Sequence, residues 1–179
     1  MLDKMKIAIV LVVIGAISGL TIYSVNLLTE DTIAQNMIEK EQGYYKELFF
    51  LDEDAEVRFE TNDFEDQEIS QEIVLYDADD QIIGYIYKGS DKNNYGDVIV
   101  LLGITSDGKI SNVVISSTTN TPTFVKVIKN VYLSPFRTQD VDDLSIDGST
   151  GATYTYTSVV EIVENASKYF LENRGELHD

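Results

Sequence analysis

Between Ile7 and Leu28 the chain carries 22 consecutive residues without a charge, IAIVLVVIGAISGLTIYSVNLL. A helix rises ~1.5 Å per residue, so a segment of this length spans the ~30 Å hydrocarbon layer of a bilayer. Lys4 and Lys6 precede the segment, and Glu30 and Asp31 follow it. Positive charge stays on the cytoplasmic side, which predicts a single-pass cell-membrane protein with a cytoplasmic N-terminus and the remainder of the chain outside. Tyr23 and Asn26 suit the far interface. A cleaved signal peptide is the competing reading. Its apolar region usually runs ~7–15 residues and ends in a small-residue cleavage site. The segment here is longer, Tyr23-Ser-Val-Asn-Leu27 is a poor site, and there is no cysteine to carry a lipid. An uncleaved anchor over residues 1–28 is therefore preferred. Gly15 and Gly19, with Ala16 beside them, fit a close helix–helix contact and equally the general abundance of small residues in membrane helices.

The formal net charge is −18. That argues against nucleic acid, whose recognition rests on basic residues neutralising phosphates, and against anionic lipid headgroups. It keeps the non-membrane part soluble. The acidic runs Asp52-Glu-Asp54 and Asp77-Ala-Asp-Asp80 lack the ligand spacing of a calcium loop and read as solvated loops. The absence of cysteine removes disulfides, thiolate metal sites, iron–sulfur ligation and cysteine nucleophiles together. The one histidine, His178, stands one residue from the end, a poor place for a member of a hydrolytic triad or a haem ligand. Any redox chemistry must then use an organic cofactor. No catalytic side chain and no metal site is assigned.

After the anchor, Ile33, Met37, Ile38, Tyr44, Tyr45, Leu48 and Phe49 recur at roughly helical spacing. They predict a juxtamembrane helix from Thr29 or Asp31 to about Phe50, with Gly43 as a point of interruption. The acidic stretch Asp52–Glu68 shows no clear period and reads as partly loop, so residues 29–70 form a juxtamembrane helix and linker. Strand patterns begin at Glu72-Ile-Val-Leu-Tyr76, which turns at Asp77–Asp80 into Gln81–Tyr87. Val98–Thr105 then turns at Ser106-Asp-Gly-Lys109 into Ile110–Ser117; Asp-Gly between β-branched runs is a strong hairpin signal. These four strands should be antiparallel. Thr121-Pro122 opens a loop, Val125–Val131 a short helix, and Asp140–Ser149 a polar loop. From about Thr157, Val159, Ile162, Val163, Ala166, Tyr169 and Phe170 mark one face of an amphipathic helix. Ser158-Val-Val-Glu161 fits a capping box at its start, and Gly175 a stop. The expected fold class is α+β: one N-terminal transmembrane helix, then a single domain over residues 71–179 with an antiparallel sheet flanked by helices.

Asp147-Gly-Ser-Thr-Gly-Ala-Thr-Tyr-Thr155 lies just before that last helix. Its glycines allow close backbone approach, and it clusters the hydroxyls of Ser149, Thr150, Thr153, Thr155, Thr157 and Ser158. A helix N-terminus adds free N–H groups that favour a phosphate. By itself such a loop is more often a simple helix cap than an anion site.

Thr150-Gly-Ala-Thr153, preceded by Asp147, resembles the flavinylation motif D-x-x-(S/T)-G-A-T. The chain is similar to the FMN-binding domain family, in particular to the G subunit of the Rnf ion-translocating electron transport complex and the related C subunit of the sodium-translocating NADH:quinone reductase. Asn26-Leu-Leu-Thr29 is like the family's N-x-L-T after its single membrane helix. Asn94-Tyr95-Gly96 is like its G-Y-G-G, and Leu102–Ile110 matches its hairpin V-G-I-x-x-D-G-K-I. The resemblance implies that a separate flavin transferase uses FAD to attach FMN covalently, through a phosphoester, to Thr153. Asp147, Gly151, Ala152 and Thr153 would form the part that the transferase recognises. Thr150, Gly151, Ala152, Thr155 and Tyr95 would contact the cofactor, with Thr155 near the phosphate and Tyr95, Tyr154 or Tyr156 against the ring. The family's T-P-G-L-G reads Thr121-Pro-Thr-Phe-Val125 here, and its T-S after the modified threonine reads Thr155-Tyr156.

The function that the resemblance implies is electron transfer within a membrane Rnf-type complex coupling ferredoxin:NAD electron flow to ion translocation. Its partners would be the other membrane subunits. A standalone extracytoplasmic flavinylated carrier is the alternative, and a non-redox membrane-tethered binding or scaffold domain is the rival from another class.

Overall fold

A computed structural model describes residues 2–65, 68–146 and 153–174. The chain forms two compact units, Met1–Gln42 and Gly43–Asp179.

The first unit is built on helix α1, which runs Leu2–Leu48. It contains one stretch long and apolar enough to cross a membrane. Its large apolar side chains, from Met5 to Leu28, are exposed. The second helix expected from Thr29 or Asp31 does not begin there, because α1 is continuous. Thr29 Oγ1 donates to Val25 O at 2.9 Å, bonding back into the preceding turn instead of capping a new one. Gly43 likewise lies inside α1 and does not interrupt it.

The second unit holds a five-stranded antiparallel meander in the order β1–β2–β3–β4–β5. The strands are β1 Arg58–Asp63, β2 Ile69–Tyr76, β3 Ile82–Asn93, β4 Gly96–Thr105 and β5 Ile110–Thr118. Four of them follow the expected hairpins. At the first turn Asp77 Oδ1 accepts from the backbone N–H groups of Asp79 and Gln81 at 2.9 and 2.8 Å, so this acidic run shapes its own turn. At the second, Gly108 supplies the positive φ, +80°, that the turn demands. The fifth strand, β1, comes from the acidic stretch expected to be partly loop. Its side chains are exposed or half-buried, so no alternation betrays it.

Both faces of the sheet are covered. Helix α3, Thr153–Arg174, lays Val159, Ile162, Val163, Ala166 and Phe170 onto one face. There they meet Tyr85 and Tyr87 of β3, Val98, Val100 and Leu102 of β4, and Val113 and Ile115 of β5. Burying each such side chain is worth ~1.5–3 kcal/mol. The opposite face, one residue out of phase on each strand, presents Ile73, Ile86, Leu101 and Val114 to Tyr45 and Leu48 at the end of α1. Phe49 seats against Gly84 and Gly103, where no side chain stands in its way. The carbonyls that end α1 are met from β5: Ser111 Oγ donates to Leu48 O at 2.7 Å and Asn112 Nδ2 to Glu47 O at 3.4 Å. Arg137 in turn donates to Asn112 Oδ1 at 2.9 Å.

The connection from β5 to α3 also departs from expectation. Helix α2 is Pro122–Val127 and begins three residues before the expected Val125, because Pro122 at its first turn is pre-set for helix. A π-helical turn, Ile128–Tyr132, and a 3₁₀ turn, Ser134–Phe136, follow. The proposed capping box is overturned. Helix α3 already runs from Thr153, so Ser158 lies inside it and its Oγ donates to Tyr154 O at 3.1 Å. Gly175 and His178 lie outside the described residues.

Candidate functional site

Of the described residues singled out in sequence, Thr153 and Tyr154 open α3, and Tyr154 meets Tyr95. Thr153 is the first residue of α3 and its side chain is exposed. Asp147, Thr150, Gly151 and Ala152 lie outside the described residues. The first turn of a helix carries N–H groups without intrahelical partners and the positive end of the helix dipole. A phosphoryl group on Thr153 would meet that environment.

Beside Thr153 stands a cluster of exposed rings. Tyr154 is 51% exposed and packs edge-on against Tyr95, with centroids 5.5 Å apart. Tyr95 is also 51% exposed and touches Phe124, 39% exposed, at 6.4 Å. The three rings come from different elements: the β3–β4 turn, α2 and α3. Tyr95 is held by its backbone, whose N–H donates to Asn93 Oδ1 at 2.9 Å. Gly96 follows at φ +131°, and a Cβ there would run into Thr119 Oγ1. The turn that presents Tyr95 therefore needs glycine. Phe124 reaches the cluster because Val125 of α2 and Ile128 just after it turn into the core and leave Phe124 outside. Exposed aromatic faces beside an exposed threonine at a helix N-terminus fit a planar aromatic group that carries a phosphate, such as FMN.

The other expected contacts lie elsewhere. Tyr156 is buried, packed on Tyr132 at 5.4 Å and on Phe136 at 6.4 Å. It forms one wall of a cleft of about 290 Å³ shared with Gln139, Ser145 and Ile146. Thr155 is only 2% exposed, and its Oγ1 accepts from Asn120 Nδ2 at 2.8 Å, so it faces the sheet.

Sequence reasoning missed Asn93, Asn120 and Phe124. Asn120 Nδ2 also donates to Asn93 Oδ1 at 3.2 Å, and Asn93 Nδ2 donates to Ser158 Oγ at 2.8 Å. Asparagine beside Tyr-Gly or Thr-Pro reads as turn chemistry, so only the contact across 35 residues to Thr155 reveals the network.

The polar loop after Phe136 is tied to the sheet. Lys109 Nζ and Asp140 Oδ1 are 2.7 Å apart, and Val141 N donates to Gly108 O at 3.0 Å. The Asp140 hydrogen bond holds the exposed Lys109 ammonium above its ordinary pKa.

Residues 94–168 match the family model of the FMN-binding domain. The matched segment begins beside Tyr95 and includes Asn120, Phe124, Thr153 and most of α3. It supports FMN as the cofactor and a redox-related, flavin-binding electron-transfer role. Among curated proteins none matches the chain.

Proposed function

We propose that this protein is an electron-transfer subunit that carries FMN covalently on Thr153. The observation that carries the reading is the exposed Thr153 at the start of α3, next to Tyr154, Tyr95 and Phe124, inside the segment matched to the FMN-binding domain. FMN, when bound, supplies one- and two-electron redox chemistry.

The chain's own residues do the rest. Thr153 is a tether and takes no part in electron transfer. In maturation its Oγ forms a bond to the FMN phosphorus of FAD as the pyrophosphate bond breaks; AMP leaves and the hydroxyl proton passes to a base on the transferase or to water. Asp147, Gly151 and Ala152 provide recognition by the flavin transferase, and Thr150 lies with them near the attachment point. Tyr95, Tyr154 and Phe124 offer faces to the ring. A covalent link suits a domain outside the membrane, where a free cofactor would be lost by dilution. Lys4 and Lys6 before the apolar segment and Glu30 and Asp31 after it support a cytoplasmic N-terminus.

The partners we propose are the other membrane subunits of an Rnf-type complex, in which electron flow between ferredoxin and NAD drives ion movement. This placement rests on the likeness of the hairpin Leu102–Ile110 to that of the Rnf G subunit, and a standalone carrier on the same membrane helix is its alternative. Co-purification from native membranes decides it: a chain that elutes alone, still flavinylated, is a carrier.

The attachment is tested by mass. Co-expressed with a flavin transferase, the protein should gain one FMN less one water and fluoresce in a denaturing gel. Thr153→Ala should gain neither. An unmodified wild type sinks the flavin reading, and a flavinylated Thr153→Ala sinks the site.

A further inference from the structure

We propose that Asn120 is a positioning residue for the loading of Thr153, acting through Thr155 and, by way of Asn93, through Ser158; this rests on the reading that Thr153 receives the flavin. Thr155 and Ser158 stand three residues apart on α3 and so share a face. Both are buried, and both hydroxyls are engaged by asparagines from the end of the sheet. Asn120 Nδ2 donates to Thr155 Oγ1 at 2.8 Å and Asn93 Nδ2 to Ser158 Oγ at 2.8 Å. Asn120 Nδ2 to Asn93 Oδ1, at 3.2 Å, joins the two donors into one unit.

The consequence is rotational. The apolar stripe Val159–Phe170 sets the roll of the body of α3, and at its first turns the directed hydrogen bonds to Thr155 and Ser158 fix the angle. Successive helical residues are ~100° apart around the axis, so Thr153 lies ~200° from Thr155. Pinning Thr155 inward therefore turns Thr153 outward, where it is found exposed. A roll that released Thr155 would carry the Thr153 hydroxyl toward the sheet and away from an incoming enzyme.

Two further observations mark the network as more than packing. Asn120 is buried, yet nothing among the described residues donates to its Oδ1. An unmet buried carbonyl is destabilising, so the two bonds that Asn120 Nδ2 donates are made at a cost that an apolar contact would avoid. The surroundings are also closed. A Cβ on Gly96 would strike Thr119 Oγ1 and lie 3.3 Å from Asn120 Oδ1. Asn120 is thus enclosed, which suits a fulcrum and not a ligand contact.

The test uses the full-length protein as substrate for a flavin transferase with FAD, read by intact mass over time. Asn120→Ala and Thr155→Val should lower the kcat of loading about tenfold or more, since misplacement of a reacting group by ~1 Å is enough to do so. The KM for the protein should stay within about twofold, because the groups that the transferase recognises are unchanged. Thr155→Ser keeps the hydroxyl and should load at the wild-type rate. Ile162→Val, a core change on the same helix, serves as a destabilised control and should also load normally. In unmodified protein, amide exchange at residues 157 and 158, the first in α3 with intrahelical partners, should rise about tenfold in Asn120→Ala while residues 159–170 stay protected. Normal loading of Thr155→Val, equal loss in Ile162→Val, or unchanged exchange overturns the inference. If wild type takes no flavin, the functional reading fails and this inference with it; if wild type loads and the variants match it, only this inference fails.

Discussion

Arg174 Nη2 lies 3.0 Å from Glu72 Oε2, joining the last turn of α3 to β2 across 102 residues. The Glu72 side chain is only 5% exposed and is also held by Tyr87 Oη at 2.8 Å and Asn62 Nδ2 at 3.2 Å. A carboxylate so enclosed must be paired. Removing Arg174 leaves it with neutral donors alone. Because the Arg174 side chain is 36% exposed, water offsets part of the loss, and Arg174→Met should cost about 1–3 kcal/mol. Chemical denaturation measures this. Arg174→Met combined with Glu72→Gln should recover part of the stability; no recovery would show that the pair does not act as a unit.

The same network sets an alkaline response. Burial first, and then the Glu72 carboxylate, raise the Tyr87 phenol well above its ordinary pKa. A raised folded-state value means that the native protein holds this proton more tightly than the unfolded chain. The stabilisation is therefore fully present below the unfolded pKa of about 10 and is lost as pH rises above it. Half-buried Tyr76, raised by desolvation and by its hydrogen bond to Glu60, contributes in the same sense. Stability should fall from about pH 10 upward, and Tyr87→Phe should flatten the Tyr87 part of that fall. Thermal melts of the two proteins between neutral and alkaline pH make the comparison, and parallel curves would count against the assignment.

Gly84 in β3 stands where Phe49, just past the end of α1, and Ile104 of β4 approach it closely. A Cβ at this position would run into the Ile104 carbonyl and the Phe49 ring. Gly84→Ala should thus destabilise by about 1–3 kcal/mol through overpacking, although alanine favours strand no less than glycine does. Shortening the ring in Phe49→Leu should relieve part of the penalty. The check is the denaturation midpoint of the single and double variants.

How far the fold was legible follows from where its signals are local. The two hairpins rest on Asp77 and on Asp107-Gly108, whose turn chemistry acts within a few residues, and both could be read directly. Strand β1 could not, because an edge strand with exposed side chains has no alternation to read. The start of α3 was displaced for a related reason: Thr153-Tyr-Thr-Tyr-Thr157 has low helix propensity and resembles a loop, while Ser158 and Glu161 imitate a cap. Tertiary contacts of Thr155 and Tyr156 override that local preference. In the site, Thr153 and Tyr95 carry motif-level signals. Asn93, Asn120 and Phe124 do not, since their roles exist only once β3, α2 and α3 meet.

The exposed rings make a prediction about the bound cofactor. If Tyr95, Tyr154 and Phe124 receive the isoalloxazine ring, tyrosine in contact with it should quench its emission by electron donation. Flavinylated Tyr95→Leu should fluoresce more strongly than wild type, with Phe124→Leu showing a smaller rise because phenylalanine donates poorly. Loss of one such aromatic contact is worth ~0.5–1.5 kcal/mol, so flavin attachment itself should survive. Equal quantum yields in folded wild type and Tyr95→Leu would place the ring away from this cluster.

The apolar segment makes the last prediction. Its side chains are exposed in α1 from Met5 to Leu28, so in water the first unit would present a long apolar surface of the kind that soluble monomers rarely tolerate. A bilayer removes that surface. Ile14, near the middle of the segment, is the position most sensitive to charge. Lysine there should disfavour insertion by about 2.5–3.5 kcal/mol. Wild type should remain in the membrane pellet after alkaline carbonate extraction, and Ile14→Lys should shift measurably to the supernatant. Ile14→Leu, equally apolar, should behave as wild type. Release of wild type by carbonate would mean that the helix does not span the membrane.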